Sequence, residues 1–102
     1  MSVVKRFPKE RIEQARKALA MAALEDRLDE VLGLVEKAYR EKPWLLSGRT
    51  AAGILSGLIY AFTRRYGVPL TQFEVAMTFD VTEVTVRKSY YNIWRRMKDE
   101  WP

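Results

Sequence analysis

Two residue types are missing from this chain of 102 residues: cysteine and histidine. Without cysteine there is no disulfide framework, no zinc ribbon or finger, and no thiol nucleophile. Without histidine the commonest general base and the commonest transition-metal ligand disappear together. The acids do not make good the loss. Glu25/Asp26 and Asp29/Glu30 surround a turn and a helix start, where solvated carboxylates ordinarily complement the helix dipole. A Gly-rich phosphate loop, metal-ligand spacing and a nucleophile triad are absent as well. The expectation is a protein that is not an enzyme and holds no cofactor and no metal. Long apolar runs are also lacking. The longest, Ala51 to Phe62, is too short to span a membrane and contains Gly and Ser. Val3, Val4 and Phe7 are interrupted by Lys5, Arg6 and Pro8, which is no secretory signal. A cytoplasmic, nucleoid-associated protein without a membrane partner is expected.

What is present suits one globular domain: 48% hydrophobic and 30% charged residues, with only five Gly and four Pro to interrupt helices. The net charge of +5 inclines the chain towards polyanionic partners. Five helical segments can be read and no strand. The first spans about Lys9 to Ala23 behind Pro8, with Ile12, Ala15, Leu19, Ala22 and Ala23 inward. The second spans about Leu28 to Lys42, with Leu28, Val31, Leu32, Val35 and Tyr39 on one face, and Pro43 ends it. The third, about Thr50 to Tyr66, is apolar nearly all round and so belongs at the centre. Its Gly53 and Gly57, four apart, suit close approach by a crossing helix. A short fourth helix opens at Thr71 with Glu74 three residues on, a capping box. The fifth follows Thr82 and runs to about Lys98. The fold class is therefore an all-α bundle over residues 8–102, preceded by a basic, mobile arm at residues 1–7.

Helices four and five form a helix-turn-helix over residues 71–98. Across the joint the sequence reads Gln72-x-x-x-Ala76-x-x-x-Asp80-Val81-Thr82-x-x-Thr85-Val86-Arg87. A small Ala76 lets the helices cross closely, and Asp80 tolerates the left-handed turn geometry usually given to Gly. Val81 and Val86 plug the space between the helices, and Thr82 caps the second. At 100° per residue, Val86, Ser89, Tyr90, Ile93 and Met97 face inward, and Val84, Arg87, Lys88, Tyr91, Arg95 and Lys98 face outward. That outward face suits a helix docking on double-stranded DNA, with early residues at base edges and later bases along phosphates. Arg87 fits bidentate contact with guanine and Val84 packing on a thymine methyl; Lys88, Tyr91, Arg95 and Lys98 fit backbone contacts. The same stripe also fits a solvated basic face on an interaction domain.

A second anion site is open to Gly48, Arg49 and Thr50, which precede the third helix and could hold a phosphate through backbone N–H groups. An ordinary N-cap at Thr50 with Gly48 in the turn explains the same residues. Trp44 is expected to pack at its turn and Trp94 at the edge of the core.

Ser47-Gly48-Arg49-Thr50-Ala51-Ala52-Gly53-Ile54, Leu58-Ile59-Tyr60, Thr71-Gln72-x-Glu74-Val75-Ala76 and Val81-Thr82-Glu83-Val84-Thr85-Val86-Arg87-Lys88-Ser89-Tyr90 together resemble a known family. They are similar to the second cyclin-like repeat of archaeal transcription factor B and eukaryotic transcription factor IIB. The resemblance implies a five-helix cyclin-like box with its third helix central. It also implies a helix-turn-helix reading promoter DNA just upstream of the TATA box, with Val84 and Arg87 as the base-reading pair. The family pairs two repeats behind a zinc ribbon, and this chain carries one repeat. Polymerase recruitment through a ribbon and the main contacts with the TATA-binding protein are thus not implied. Thr50-Ala51 stands where the family commonly has Ser or Asp before Pro, and Ser56-Gly57 replaces an Ala pair. The resulting expectation is a DNA-binding transcription factor or regulator. The alternative is a protein-binding cyclin-box adaptor docking on other transcription proteins, and either could act as a homodimer.

Overall fold

Small residues set the spacing of this molecule, and its longest helix is the one that carries most of them. The computed structural model describes residues 7–101, so the expected basic arm, Phe7 apart, lies outside the described residues. Among these residues are five α-helices: α1 (Lys9–Met21), α2 (Leu28–Glu41), α3 (Ala51–Arg65), α4 (Gln72–Phe79) and α5 (Glu83–Ser89). The chain leaves α5 through a π turn (Tyr90–Trp94) and a 3-10 segment (Arg95–Glu100). The described residues contain no strand. No helix is long and apolar enough to cross a membrane.

α3 is buried without a break from Ala52 to Thr63, and the other helices pack around it. Its polar side chains are satisfied locally. Ser56 donates to the Gly53 carbonyl at 3.1 Å and Thr63 to the Tyr60 carbonyl at 3.3 Å. The Thr63 hydroxyl also accepts from the Leu70 amide at 3.2 Å, which seats the connection to α4. The stripe of α1 is Ile12, Ala15, Ala18 and Leu19. Ala23 does not belong to it: it is exposed, with φ 57, and terminates the helix in the left-handed region. On α2 the buried set is Leu28, Val31, Leu34, Val35 and Ala38, while Leu32 and Tyr39 are only half-buried. Phe7 is buried, edge-on to Tyr39 at 6.4 Å, so it is part of the core rather than of an arm. Arg11 reaches from α1 to donate to the Phe79 carbonyl at the end of α4, at 3.3 Å.

At the other end of α3, the Tyr66 hydroxyl donates to Glu30 at 2.6 Å and Arg27 donates to the same carboxylate at 2.8 Å. The tyrosine hydrogen bond first, and the Arg27 bond second, hold Glu30 below the usual carboxylate range. The bond to Glu30 likewise raises the Tyr66 phenol.

α3 and α5 come into close contact at a glycine. A methyl group at Gly57 would run into the Ser89 side chain and come within 2.9 Å of the Ser89 carbonyl carbon. One turn earlier, a methyl at Gly53 would lie 3.7 Å from the Thr85 methyl. The small-residue pair read from the sequence thus accommodates a crossing helix, and that helix is α5. Ser89 is buried here and its hydroxyl has no hydrogen-bond partner among the described residues. Overpacking costs roughly 1–3 kcal/mol, so Gly57→Ala is expected to lower stability by about that amount in denaturant titrations. Gly33, in the middle of α2 with open space around its Cα, should behave oppositely: Gly33→Ala gains roughly 0.5–1 kcal/mol. Equal effects at the two glycines would contradict the crossing.

Candidate nucleic-acid interface

The helix-turn-helix is assembled from local hydrogen bonds that its sequence prescribes. Thr71 accepts from the Glu74 amide at 3.0 Å, and Glu74 accepts from the Thr71 amide at 2.9 Å, which completes the capping box. α4 ends at Asp80, in the left-handed region at φ 54 and ψ 48. The following Val81 amide then donates back to the Ala76 carbonyl at 3.0 Å. Thr82 accepts from the Thr85 amide at 3.1 Å and starts α5. Ala76 and Val86 are buried between the helices, with Val81 half-buried beside them. The capping, turn and packing roles read for Thr71, Glu74, Ala76, Asp80, Thr82 and Val86 are filled as expected.

The start of α5 faces outward. Val84 is 45% exposed. Arg87 is exposed, and its Nη1 donates to Gln72 Oε1 at 3.2 Å, so the first residue of α4 steadies the arginine of α5. Beyond Ser89 the expected single stripe divides. A π turn closes i→i+5 hydrogen bonds and takes more residues than an α turn, so later side chains are rotated back. Trp94 is accordingly carried fully inside, donating from Nε1 to the Ile54 carbonyl at 2.9 Å. Continuous 100° steps place it only at the core edge. Tyr90, expected inward, is half-buried, edge-on to Tyr60 at 5.4 Å and to Tyr91 at 5.3 Å.

The six outward residues of the sequence reading therefore occupy three places. Val84 and Arg87 stand at the exposed start of α5. Lys88 lines a cleft of about 260 Å³ with Gly48, Arg49, Thr50, Gly53, Thr85 and Ser89. Arg95 and Lys98 line a separate cavity of about 250 Å³ near the end of α3, with Arg64 and Arg65. Tyr91, 48% exposed, lies between these groups with the Arg95 guanidinium stacked on its ring at 5.2 Å.

The cleft joins two features that sequence reading kept apart, the α3 N-terminus and the basic face of α5. Gly48 adopts φ +75, and Thr50 accepts from the Gly53 amide at 3.0 Å, so the expected turn and N-cap are both present. Arg49 donates from Nε to the Leu45 carbonyl at 3.2 Å. It also lines a hollow with Trp44, Asn92 and Arg96. Arg96 falls off a stripe drawn at 100° per residue, yet it shares this hollow with Arg49. Trp44, expected to pack at its turn, is 68% exposed. No sequence pattern signals the meeting of Lys88 with Arg49, because it depends on how α5 crosses α3. Among the described residues no group of acids, cysteines or histidines could hold a metal ion.

A helix-turn-helix carried at the end of an all-α bundle with a buried central helix defines a cyclin-like box. The family model that matches the chain is "Transcription factor TFIIB repeat", over residues 8–96, and the chain belongs to that family. It is 36% identical over 80 residues to the transcription initiation factor IIB of Pyrococcus furiosus, covering 70% of this chain and 27% of that protein. It is 38% identical over 64 residues to the Pyrococcus horikoshii factor (63% and 21%). With transcription initiation factor IIB 1 of Thermococcus kodakarensis the figure is 35% over 69 residues (68% and 22%). The chain thus spans about a quarter of the length of these relatives. No solved structure matches it at a comparable level.

The joint can be tested through Asp80. Left-handed geometry costs a side chain with a branched Cβ about 1–2 kcal/mol. Asp80→Val should therefore destabilise by about that amount in thermal or chemical melts, and Asp80→Gly should not. Tolerance of valine at this position would rule out the left-handed cap.

Proposed function

We propose that this chain is a DNA-binding transcription factor or regulator that lays the start of α5 in the major groove of promoter-type duplex DNA. The observation that carries the proposal is the arrangement around Val84 and Arg87. Both are exposed at the first turns of a helix, and Gln72 holds the arginine's guanidinium through a single bond. In this reading Arg87 takes guanine O6 and N7 with its free donors, and Val84 packs on a thymine methyl. Phosphates then fall to either side. On one side the Gly48–Thr50 turn at the start of α3 shares a cleft with Lys88, so that Arg49 and Lys88 set two cations beside a helix N-terminus. On the other side Tyr91 is available as a hydroxyl donor. Arg95 and Lys98 add to the positive field that draws DNA in, from beyond the groove.

Membership of the TFIIB repeat family supports this reading, as do relatives named as transcription initiation factors. Those relatives are also not enzymes by name, which agrees with a protein that recognises rather than transforms its target. The family origin adds the TATA-flanking element as the class of site to try first.

A second reading, docking on another protein of the transcription machinery, draws on Phe73 and Met77. These lie one turn apart on α4 and are 58% and 67% exposed. Phe73→Ser should leave DNA binding intact under the first reading and abolish function in cells only under the second. Homodimer formation is tested by sedimentation at two concentrations, and a strict monomer would exclude it.

Two substitutions test the DNA reading. Arg87→Ala should lose about 1–3 kcal/mol on the preferred site and relax selectivity at one base pair. Lys88→Ala should weaken all duplexes alike and reduce the salt dependence of log K by about one contact. Identical binding of wild type and Arg87→Ala to every duplex would sink base reading.

A further inference from the structure

The cavity at the end of α3 is left unused by the DNA reading. Arg95 and Lys98 lie past the π turn, and the cavity they line shares no lining residue with the cleft of Lys88. Four cationic side chains line the cavity: Arg64, Arg65, Arg95 and Lys98. No carboxylate is among the described residues that line it. No acid among the described residues makes an ion pair with Arg64, Arg95 or Lys98.

Each of the three guanidinium groups lies over an aromatic ring. Arg64 lies over Tyr60 at 4.4 Å and donates to its hydroxyl at 2.6 Å. Arg65 lies over Trp101 at 5.5 Å, and Arg95 over Tyr91 at 5.2 Å. Stacking engages the face of a guanidinium and leaves its in-plane N–H donors directed outward, the geometry that binds oxyanions in pairs. The cavity also holds a donor without an acceptor. Trp101 lines it, and the Trp101 Nε1–H is buried with no hydrogen-bond partner among the described residues. A buried N–H left unpaired is costly, and an oxyanion seated among these groups would satisfy it.

We propose that this cavity is a binding site for a compact, multiply charged phosphate group, a phosphate monoester or diphosphate, separate from the DNA-reading surface. Charge favours that class. Arg64, Arg95 and Lys98, none of which pairs with an acid among the described residues, match a dianion or trianion better than the single charge on each diester of a duplex. Size agrees, since about 250 Å³ holds a diphosphate. Trp101 carries the Arg65 guanidinium over its ring, so it offers the cavity its N–H rather than a face for a stacked base.

The indole N–H resonances of the ¹⁵N-labelled full chain report on this directly, because its three tryptophans differ. Trp94 is bonded to Ile54, Trp44 is in solvent and Trp101 is unpaired. Sodium diphosphate and inorganic phosphate, each titrated at constant ionic strength against chloride, should move the Trp101 resonance saturably and leave Trp94 in place. Arg64→Gln, which removes one stacked cation outside the DNA surface, should weaken diphosphate about tenfold in calorimetry while duplex affinity is kept. Trp101→Phe, which keeps the ring and removes the donor, should also weaken it. Three results would each overturn the site: no saturable shift, an equal shift with chloride, or unchanged affinity in both variants. A Trp101 shift produced by duplex DNA and not by diphosphate would assign the cavity to the DNA surface instead. Neither outcome at the cavity bears on base reading by Arg87.

Discussion

The approach of α5 to α3 at Gly57 is the constraint on which the rest of this structure depends. With Ser89 packed directly over Gly57 and Thr85 over Gly53, α5 lies where a Cβ at position 57 would have no room. Its position fixes what becomes of every later residue. Val86, Ile93, Trp94 and Met97 are driven into the core, and the first turn of α5 is left projecting with Val84 and Arg87. Trp94 fastens the arrangement from inside by bonding to a carbonyl of α3, far away in sequence. A larger side chain at Gly57 would lift α5 as a unit, and with it the turn at Asp80. Stability and the presentation of the start of α5 are therefore coupled through one glycine.

Most of the architecture was legible in the residues, and for local reasons. Caps and the turn depend on side chains within four positions of one another, so Thr71, Glu74, Asp80 and Thr82 announce themselves. The central helix was legible because an all-apolar surface such as Ala52 to Phe62 admits only burial. Family resemblance, carried by the Ser47–Ile54 and Val81–Tyr90 segments, pointed to the same cyclin-like box, and the family match over residues 8–96 agrees. The failures are equally physical. Tyr90-Tyr91-Asn92-Ile93-Trp94 contains nothing that marks a π turn, yet that turn rotates Arg95 and Lys98 away from the side of Lys88. The outward stripe was thus too simple in its shape: Val84 and Arg87 are exposed at the start of α5, whereas Arg95 and Lys98 line a different hollow from Lys88. The meeting of Lys88 with Arg49, and of Arg95 with Arg64, depends on tertiary crossing and has no local signature.

The resulting charge distribution is more particular than a net charge of +5 conveys. One cationic group is open and lies against a helix N-terminus, a setting for backbone phosphates. Another is lined by aromatic rings and carries an unpaired indole donor, a setting for a discrete anion. Acids are engaged elsewhere, for instance Glu30 beneath Tyr66 and Arg27, and Arg64, Arg95 and Lys98 make no ion pair with an acid among the described residues. A chain covering about a quarter of its relatives thus retains two separate electrostatic surfaces, which separate experiments can address.

The central claim is that α5 reads duplex DNA by sequence rather than attracting it by charge. A salt titration of binding to a TATA-flanking duplex, against a scrambled duplex of equal length, tests this most directly. The account predicts similar slopes of log K with log salt for the two, since phosphate contacts are shared, and an offset of at least about 10³ in favour of the flanking sequence. Coincident curves, or no binding to either duplex at low salt, would contradict it.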